Sequence, residues 1–269
     1  MNSPQNSETA ETPAPEAPVN PCELHPWSTL NQQGECFRCE TEALDRSEQL
    51  ALAQQQLADK VKRKQEEVEA RVGAAGIPLR YRDYTFDTFP LKDPLPRAVT
   101  ILRSYANRWR AVRPRGISGL LVGGAGTGKT GLALCVANAL MRNENATVAF
   151  MSAYAAVRHQ RDTWGRRGRT EREALDDLLA PDLLILDDVG TSVGSDAEVS
   201  MLFEVLNGRY QDRRPTFLTS NLPMDDYEVN GQKRPGLKTY LGPRVVDRFR
   251  DDGSFTLTFD WPSLRGKQQ

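Results

Sequence analysis

Three stretches of this chain hold residues whose types and spacing could do chemistry. The first is GLLVGGAGTGKTGLALCVANAL, with Gly123, Gly126, Gly128, Lys129 and Thr130 in a G-x-x-x-x-G-K-T arrangement. It follows an apolar run and opens an Ala- and Leu-rich one, so it reads as strand, glycine turn and helix start. Glycines there let backbone N–H groups wrap an anion, and the helix N-terminus adds partial positive charge. Lys129 can then reach the β- and γ-phosphates of ATP, and the Thr130 hydroxyl can sit on Mg²⁺. The second stretch, LLILDD, is a buried strand ending in Asp187 and Asp188. Asp187 is suited to the Mg²⁺ shell, and an acid directly after it can act as general base on an attacking water. Many ATPases of this layout carry Glu at the second position; Asp is a methylene shorter, which bears on hydrolysis rate rather than nucleotide binding. The third stretch, TFLTSN, ends in Ser220 and Asn221, and a polar strand end beside the acids can orient water near a γ-phosphate.

Elements that position these residues follow from the apolar pattern. Strand candidates lie at 119–122, 147–151, 183–187, 216–220 and 255–259, separated by helical stretches, which implies a five-stranded parallel sheet covered on both faces. A strand between the phosphate loop and LLILDD predicts the ATPase arrangement, with an inserted strand, rather than the kinase–GTPase one. A helix is expected over about 97–112, preceded by a Gly/Pro-broken linker with aromatic anchors, GAAGIPLRYRDYTFDTFPLKDPLP. Cys135 reads as core.

The N-terminal quarter is different in kind. Residues 1–21 are Pro-, Glu-, Ser- and Thr-rich and predict a disordered tail. Residues 22–40 hold Cys22-x-x-His25 and Cys36-x-x-Cys39, two ligand pairs that fit a closed tetrahedral Zn²⁺ site, with metal binding supplying most of the folding energy. From about Thr41 to Val72 an Ala/Glu/Gln/Lys/Leu-rich run predicts one long helix, with a sparse apolar stripe at Leu44, Leu50, Leu57, Val61, Val68 and Val72.

The chain has 269 residues and a formal net charge of −1, so nucleic-acid contact requires a local patch. The candidate is RHQRDTWGRRGRT, where Arg158, Arg161, Arg166, Arg167 and Arg169 surround Trp164: phosphate contacts and a stacking ring for single-stranded DNA. The competing reading is a solvated arginine-rich loop. There is no run of the 18 or more apolar residues a membrane span needs, and no signal peptide, so a soluble protein of a reducing cytoplasm is expected.

GGAGTGKT, LLILDDVG, TSN, GPRVVDRFR and FDWPSLRG, in that order, resemble the DnaC/IstB-like branch of AAA+ ATPases over about residues 76–266. The resemblance implies an AAA+ ATPase domain at 76–269 and a replicative helicase loader: an ATPase that self-assembles through AAA+ interfaces, binds single-stranded DNA and grips a DnaB-type helicase, here through the module and the helical region 41–75. It also implies that Arg244 or Arg248 reaches a neighbouring subunit's γ-phosphate, and that Arg265 acts on the subunit's own nucleotide. The same core serves IstB-type transposition helpers, which act on duplex DNA, so the motifs alone leave that alternative open. A third reading is a metal-bound adaptor whose nearly silent ATPase serves as a nucleotide switch.

Overall fold

The computed structural model describes residues 22–89, 97–162, 170–191, 196–251 and 253–264. The tail 1–21, Trp164, Arg166, Arg167, Arg169 and Arg265 therefore lie outside the described residues. The chain divides into two compact units, 1–64 and 65–269.

The larger unit is built on five parallel strands: β1 (Gly119–Gly123), β2 (Val148–Ser152), β3 (Leu183–Asp187), β4 (Thr216–Ser220) and, after a small hairpin, β7 (Phe255–Phe259). Their order is β2-β3-β4-β1-β7, so β4 stands between the phosphate-loop strand and the acidic one, as the motif spacing predicts. The hairpin, β5 (Tyr227–Val229) and β6 (Gln232–Arg234), turns at Asn230 and Gly231, both at positive φ. Asn-Gly is the residue pair that such a turn favours.

Successive strand residues point to opposite faces, and both faces are apolar, so each strand feeds two cores. On one face Leu121, Leu183, Ile185, Phe217 and Leu257 pack with α2 (Arg97–Asn107), α3 (Trp109–Val112) and α4 (Lys129–Asn143). On the other, Leu120, Val122, Leu184, Leu186 and Leu218 pack with α5 (Ala153–Arg161), α6 (Glu171–Leu179), α7 (Asp196–Gln211), α8 (Leu237–Leu241) and α9 (Pro243–Arg248). Cys135 is fully buried in the first core, and burial pushes its thiol up to about 12.

The helix expected over 97–112 is interrupted at Arg108 (φ −104°, ψ 19°), and the new direction buries Trp109 and Val112 alongside Tyr105 and Ala106. The aromatic linker is no loose tether. Ala75, Ile77 and Phe89 are buried, and Tyr81, Tyr84 and Phe86 pack on the same core.

The long helix, α1, spans Phe37–Ala74, four residues earlier at its start than the apolar pattern suggests, so Cys39 sits in its first turn. Its last turns belong to the larger unit, where Val68 and Val72 join the core. Leu44, Leu50, Leu57 and Val61 are exposed. In the smaller unit a turn is fixed by the Asn31 side chain, which accepts from the N–H groups of Gln33 (3.0 Å) and Glu35 (2.9 Å). Among the described residues no helix is long and apolar enough to cross a membrane.

Candidate functional site

A cleft of about 560 Å³ opens where β1, β3 and β4 end. β1 stops at Gly123, where φ is 150° and a Cβ would fall 2.3 Å from the Phe259 carbonyl oxygen; no other residue fits. Gly128, at φ 92°, turns the loop into α4 and caps it without a side chain. The first N–H groups of α4, which have no intrahelical acceptor, and the positive end of the helix dipole therefore belong to the loop's concavity. The loop is braced from behind: Trp261 donates its ring N–H to the Thr127 carbonyl (3.0 Å), and the Leu264 N–H reaches the Gly126 carbonyl (2.8 Å).

Lys129 is buried and turned back on its own loop. Its ammonium donates to the carbonyls of Gly123 (2.8 Å) and Gly124 (2.7 Å) and to Asn221 Oδ1 (2.8 Å). Asn221 passes the connection on, donating from Nδ2 to Asp188 Oδ1 (3.2 Å). Thr130 donates to Asp187 Oδ1 (2.7 Å) and so does Thr219 (2.5 Å). Burial pushes the Asp187 carboxyl above its ordinary value, against those two hydrogen bonds, with the charge of Asp188 adding to the rise. Asp188 itself has φ 55°, a conformation Asp tolerates better than most residues.

Gly126, Gly128, Lys129, Thr130, Asp187, Asp188 and Asn221 thus share one cleft. An anion held by backbone N–H groups, a lysine, a hydroxyl–carboxylate pair for a hard cation and a second acid beside an amide can together bind and cleave a nucleoside triphosphate.

The opposite wall comes from the linker. Pro78, Arg80, Tyr81, Tyr84 and Phe89 line the cleft, and the three rings meet edge to face, with Tyr81–Tyr84 and Tyr84–Phe89 centroids 5.1 and 5.7 Å apart. Asn138, buried on α4, clasps this segment by donating to the carbonyls of Tyr81 (3.0 Å) and Tyr84 (2.9 Å). Sequence reasoning saw the aromatics as anchors and missed both their place at the cleft and Asn138, whose side chain in an apolar helix was the one available signal.

The arginines of α9 do not line this cleft. Arg244 is exposed, whereas Arg248 is half-buried, its guanidinium over the rings of Phe203 (5.4 Å) and Tyr210 (5.0 Å). One of its nitrogens, Nη1, is enclosed with no hydrogen-bond partner among the described residues. Asp251 accepts from the Tyr210 hydroxyl at 2.8 Å.

Of the basic stretch, residues 158–162 and Thr170 are described. Arg158 and Arg161 are exposed on the helix α5, not in a loop. His159 pairs with Asp177 of α6 at 2.9 Å, and Arg172 pairs with Asp176 at 3.1 Å, one turn along α6.

Within the smaller unit, ligand atoms of Cys22, His25, Cys36 and Cys39 lie within 4.8 Å of one another. Cys22 Sγ is 3.5 Å and His25 Nδ1 3.3 Å from Cys39 Sγ. A tetrahedron with Zn–S of about 2.3 Å and Zn–N of about 2.0 Å has edges of roughly this length. The other ring nitrogen of His25 faces Glu42 at 3.4 Å, and a carboxylate behind a ligating imidazole fixes its tautomer and raises its basicity. The donor set fits Zn²⁺ held for structure, since all four places are filled by protein. Glu42 was not foreseen from sequence.

A family model described as IstB-like ATP binding protein matches residues 37–246. The chain belongs to this family. It is also 30% identical over 208 residues, covering 77% of this chain and 79% of the other, to a protein of Buchnera aphidicola named replicative helicase loader DnaC. A Sinorhizobium fredii protein named as an insertion-sequence ATP-binding protein is 30% identical over 179 residues, 66% of this chain and 56% of that one. Among solved structures, a DnaC helicase loader superimposes with a TM-score of 0.55 at 21% identity, over 67% of this chain and 99% of that one, which speaks for the fold. The larger unit is therefore a DnaC/IstB-like AAA+ ATPase core, and the family implies a nucleotide with Mg²⁺ as its ligand.

Proposed function

We propose that the protein is an ATP-dependent loader of a replicative, DnaB-type helicase. The observation that carries this reading is the 30% identity to a protein named replicative helicase loader, sustained over 79% of that protein's length. In this reading ATP enters the cleft with its β- and γ-phosphates against the loop N–H groups and the start of α4. Lys129 exchanges the Gly123 and Gly124 carbonyls and Asn221 for phosphate oxygens, a gain because a charged acceptor replaces neutral ones. Thr130 and Asp187 hold Mg²⁺, which screens the phosphate charge. Asp188 takes the proton of the attacking water, and Asn221, freed from Lys129, orients that water.

Assembly supplies the rest. One of the arginines of α9, Arg244 or Arg248, reaches a neighbouring subunit's γ-phosphate and so couples hydrolysis to oligomer formation, while Arg265 acts on the subunit's own nucleotide. Residues 22–40, held by zinc, and the exposed apolar positions of α1 within 41–75 grip the helicase; the AAA+ domain, 76–269, binds single-stranded DNA through Arg158, Arg161, Trp164, Arg166, Arg167 and Arg169. Such a protein works in the cytoplasm, where the replicating DNA is.

A transposition helper of IstB type is the second reading, favoured by the family description and by the Sinorhizobium relative. DNA type separates the two. With ATP, a loader assembles on single-stranded oligonucleotides in preference to duplex, and affinity falls as salt rises; ATP-dependent coating of duplex with no preference for single strands would replace the loader reading with the helper.

A further inference from the structure

Three consecutive residues at the end of β4 grip three consecutive residues at the end of β3. Thr219, fully buried, donates its hydroxyl proton to Asp187 Oδ1 (2.5 Å), accepts from the Asp188 N–H (3.1 Å), and accepts the Val189 N–H at its backbone carbonyl (2.9 Å). Ser220, also fully buried, donates to the Val189 carbonyl (2.6 Å) and accepts from the Leu222 N–H (3.1 Å). Asn221 holds the Asp188 carboxylate (3.2 Å). Of Thr219, Ser220 and Asn221, only Asn221 lines the cleft.

We propose that Thr219 is a positioning residue for both acids: one hydroxyl fixes the carboxylate of Asp187 and the backbone of Asp188 at the same time. A hydroxyl has one proton to give, and here it is committed to Asp187 Oδ1, where the Thr130 hydroxyl (2.7 Å) also converges. Two donors on one oxygen hold the carboxylate plane at a set angle to the phosphate loop. The lone pair turned to the Asp188 N–H anchors a residue in the left-handed conformation (φ 55°), whose carbonyl is tied on the other side by the Thr191 hydroxyl (2.8 Å). Without that anchor, Asp188 can relax to a commoner backbone shape and swing its carboxylate away from Asn221. Thr219 does not line the cleft; it acts through the two acids.

The inference rests on the ATPase reading above, and its test keeps the two apart. Binding of a fluorescent ATP analogue is titrated for the full chain in EDTA and against increasing Mg²⁺, with hydrolysis and thermal melting measured in parallel, for wild type, Thr219→Val and Thr219→Ser. Thr219→Val keeps the shape and removes the hydroxyl. It is expected to bind nucleotide in EDTA as wild type does, to need about 10- to 100-fold more Mg²⁺ for half-maximal effect, and to lose hydrolysis by a similar factor, the usual cost of removing a group behind a metal ligand. Thr219→Ser, which keeps the hydroxyl, is expected to restore the Mg²⁺ midpoint. An unchanged midpoint in Thr219→Val, or a Ser variant as impaired as the Val one, overturns the proposal, because packing of the methyl group would then be what matters. Equal loss of EDTA and Mg²⁺ binding with a lowered melting temperature also overturns it, in favour of a plain folding role. If wild type itself binds no nucleotide, the ATPase reading is what fails.

Discussion

Arg209 is a fully buried guanidinium whose hydrogen-bonding partners are neutral. It donates to the Thr216 hydroxyl (2.9 Å) and to the carbonyls of Leu178 (2.9 Å), Leu179 (3.0 Å), Pro181 (3.0 Å) and Pro215 (2.6 Å). One side chain on α7 thereby caps the C-terminal carbonyls of α6 and fixes the chain entering β3 and β4. Burial, followed by the charge of Arg214, pushes the guanidinium down to about 9, so it stays charged at neutral pH. Five bonds from a charged donor contribute about 1.5–3 kcal/mol each, or roughly 7–15 kcal/mol before costs. Taking the ion out of water offsets several kcal/mol of that. Arg209→Met removes the ion but takes the donor from the carbonyls of Leu178, Leu179 and Pro181 and from the Thr216 hydroxyl, while the Pro215 carbonyl keeps the Leu184 N–H (3.2 Å), so a net loss of about 3–5 kcal/mol is expected. That is a large share of the ~5–15 kcal/mol that holds a typical domain together. Arg209→Lys keeps the charge but offers one nitrogen where the fork uses three, and should lose about 2–4 kcal/mol. Equilibrium urea unfolding followed through the buried Trp109 reads both. A Met variant within about 1 kcal/mol of wild type would refute the reasoning, since the carbonyls must then be satisfied some other way.

Asp188→Asn keeps a residue suited to left-handed backbone and removes the base, so ATP binding should persist while turnover falls about 10²–10⁴-fold; equal, negligible turnover in wild type and variant, with binding intact, would instead mark the ATPase as a nucleotide switch. Arg244→Ala should spare ATP binding but weaken oligomer formation or hydrolysis, with partial recovery on mixing with Asp188→Asn; Arg248→Ala should also lower the melting temperature, because it leaves Phe203 and Tyr210 without their stacked partner. Burial alone would raise Asp182, but the Thr147 N–H (2.9 Å) and hydroxyl (3.0 Å) and the Arg113 guanidinium hold it below its ordinary 3.8. A depressed folded value contributes stability above about pH 4 that is lost as pH falls through the folded value, so Asp182→Asn should flatten the acid limb of the stability–pH curve. A chelator should release one zinc per chain and unfold residues 22–39 by circular dichroism while ATP binding at the larger unit survives; absence of zinc from the purified chain would sink that site.

The parts that could be read from the sequence are those where chemistry is local. The phosphate loop, the acid pair, the five apolar strands and the two Cys/His pairs are each contiguous patterns; the larger unit assembles the first three, and within the smaller unit the two Cys/His pairs converge. Contacts that join distant segments left no such mark. Arg209 sits in NGRYQ, which reads as an ordinary exposed helix face, and becomes central only because three loops end beside it. Thr219 looks like one more β-branched strand residue until β4 is laid next to β3. Nor does the sequence show that His159, beside Arg158 and Arg161 on α5, meets Asp177 of α6, or that Arg172 pairs with Asp176. Register and helix packing decide such pairings, and neither is written in a single segment.

In the loader proposed above, ATP governs a complex between this protein and a replicative helicase. The most direct measurement is native mass of the full chain purified with the replicative helicase of its own host, with and without ATP. A loader gives a complex of defined stoichiometry whose stability changes with nucleotide. No complex in either condition, together with ATP-dependent assembly on duplex DNA, would contradict it.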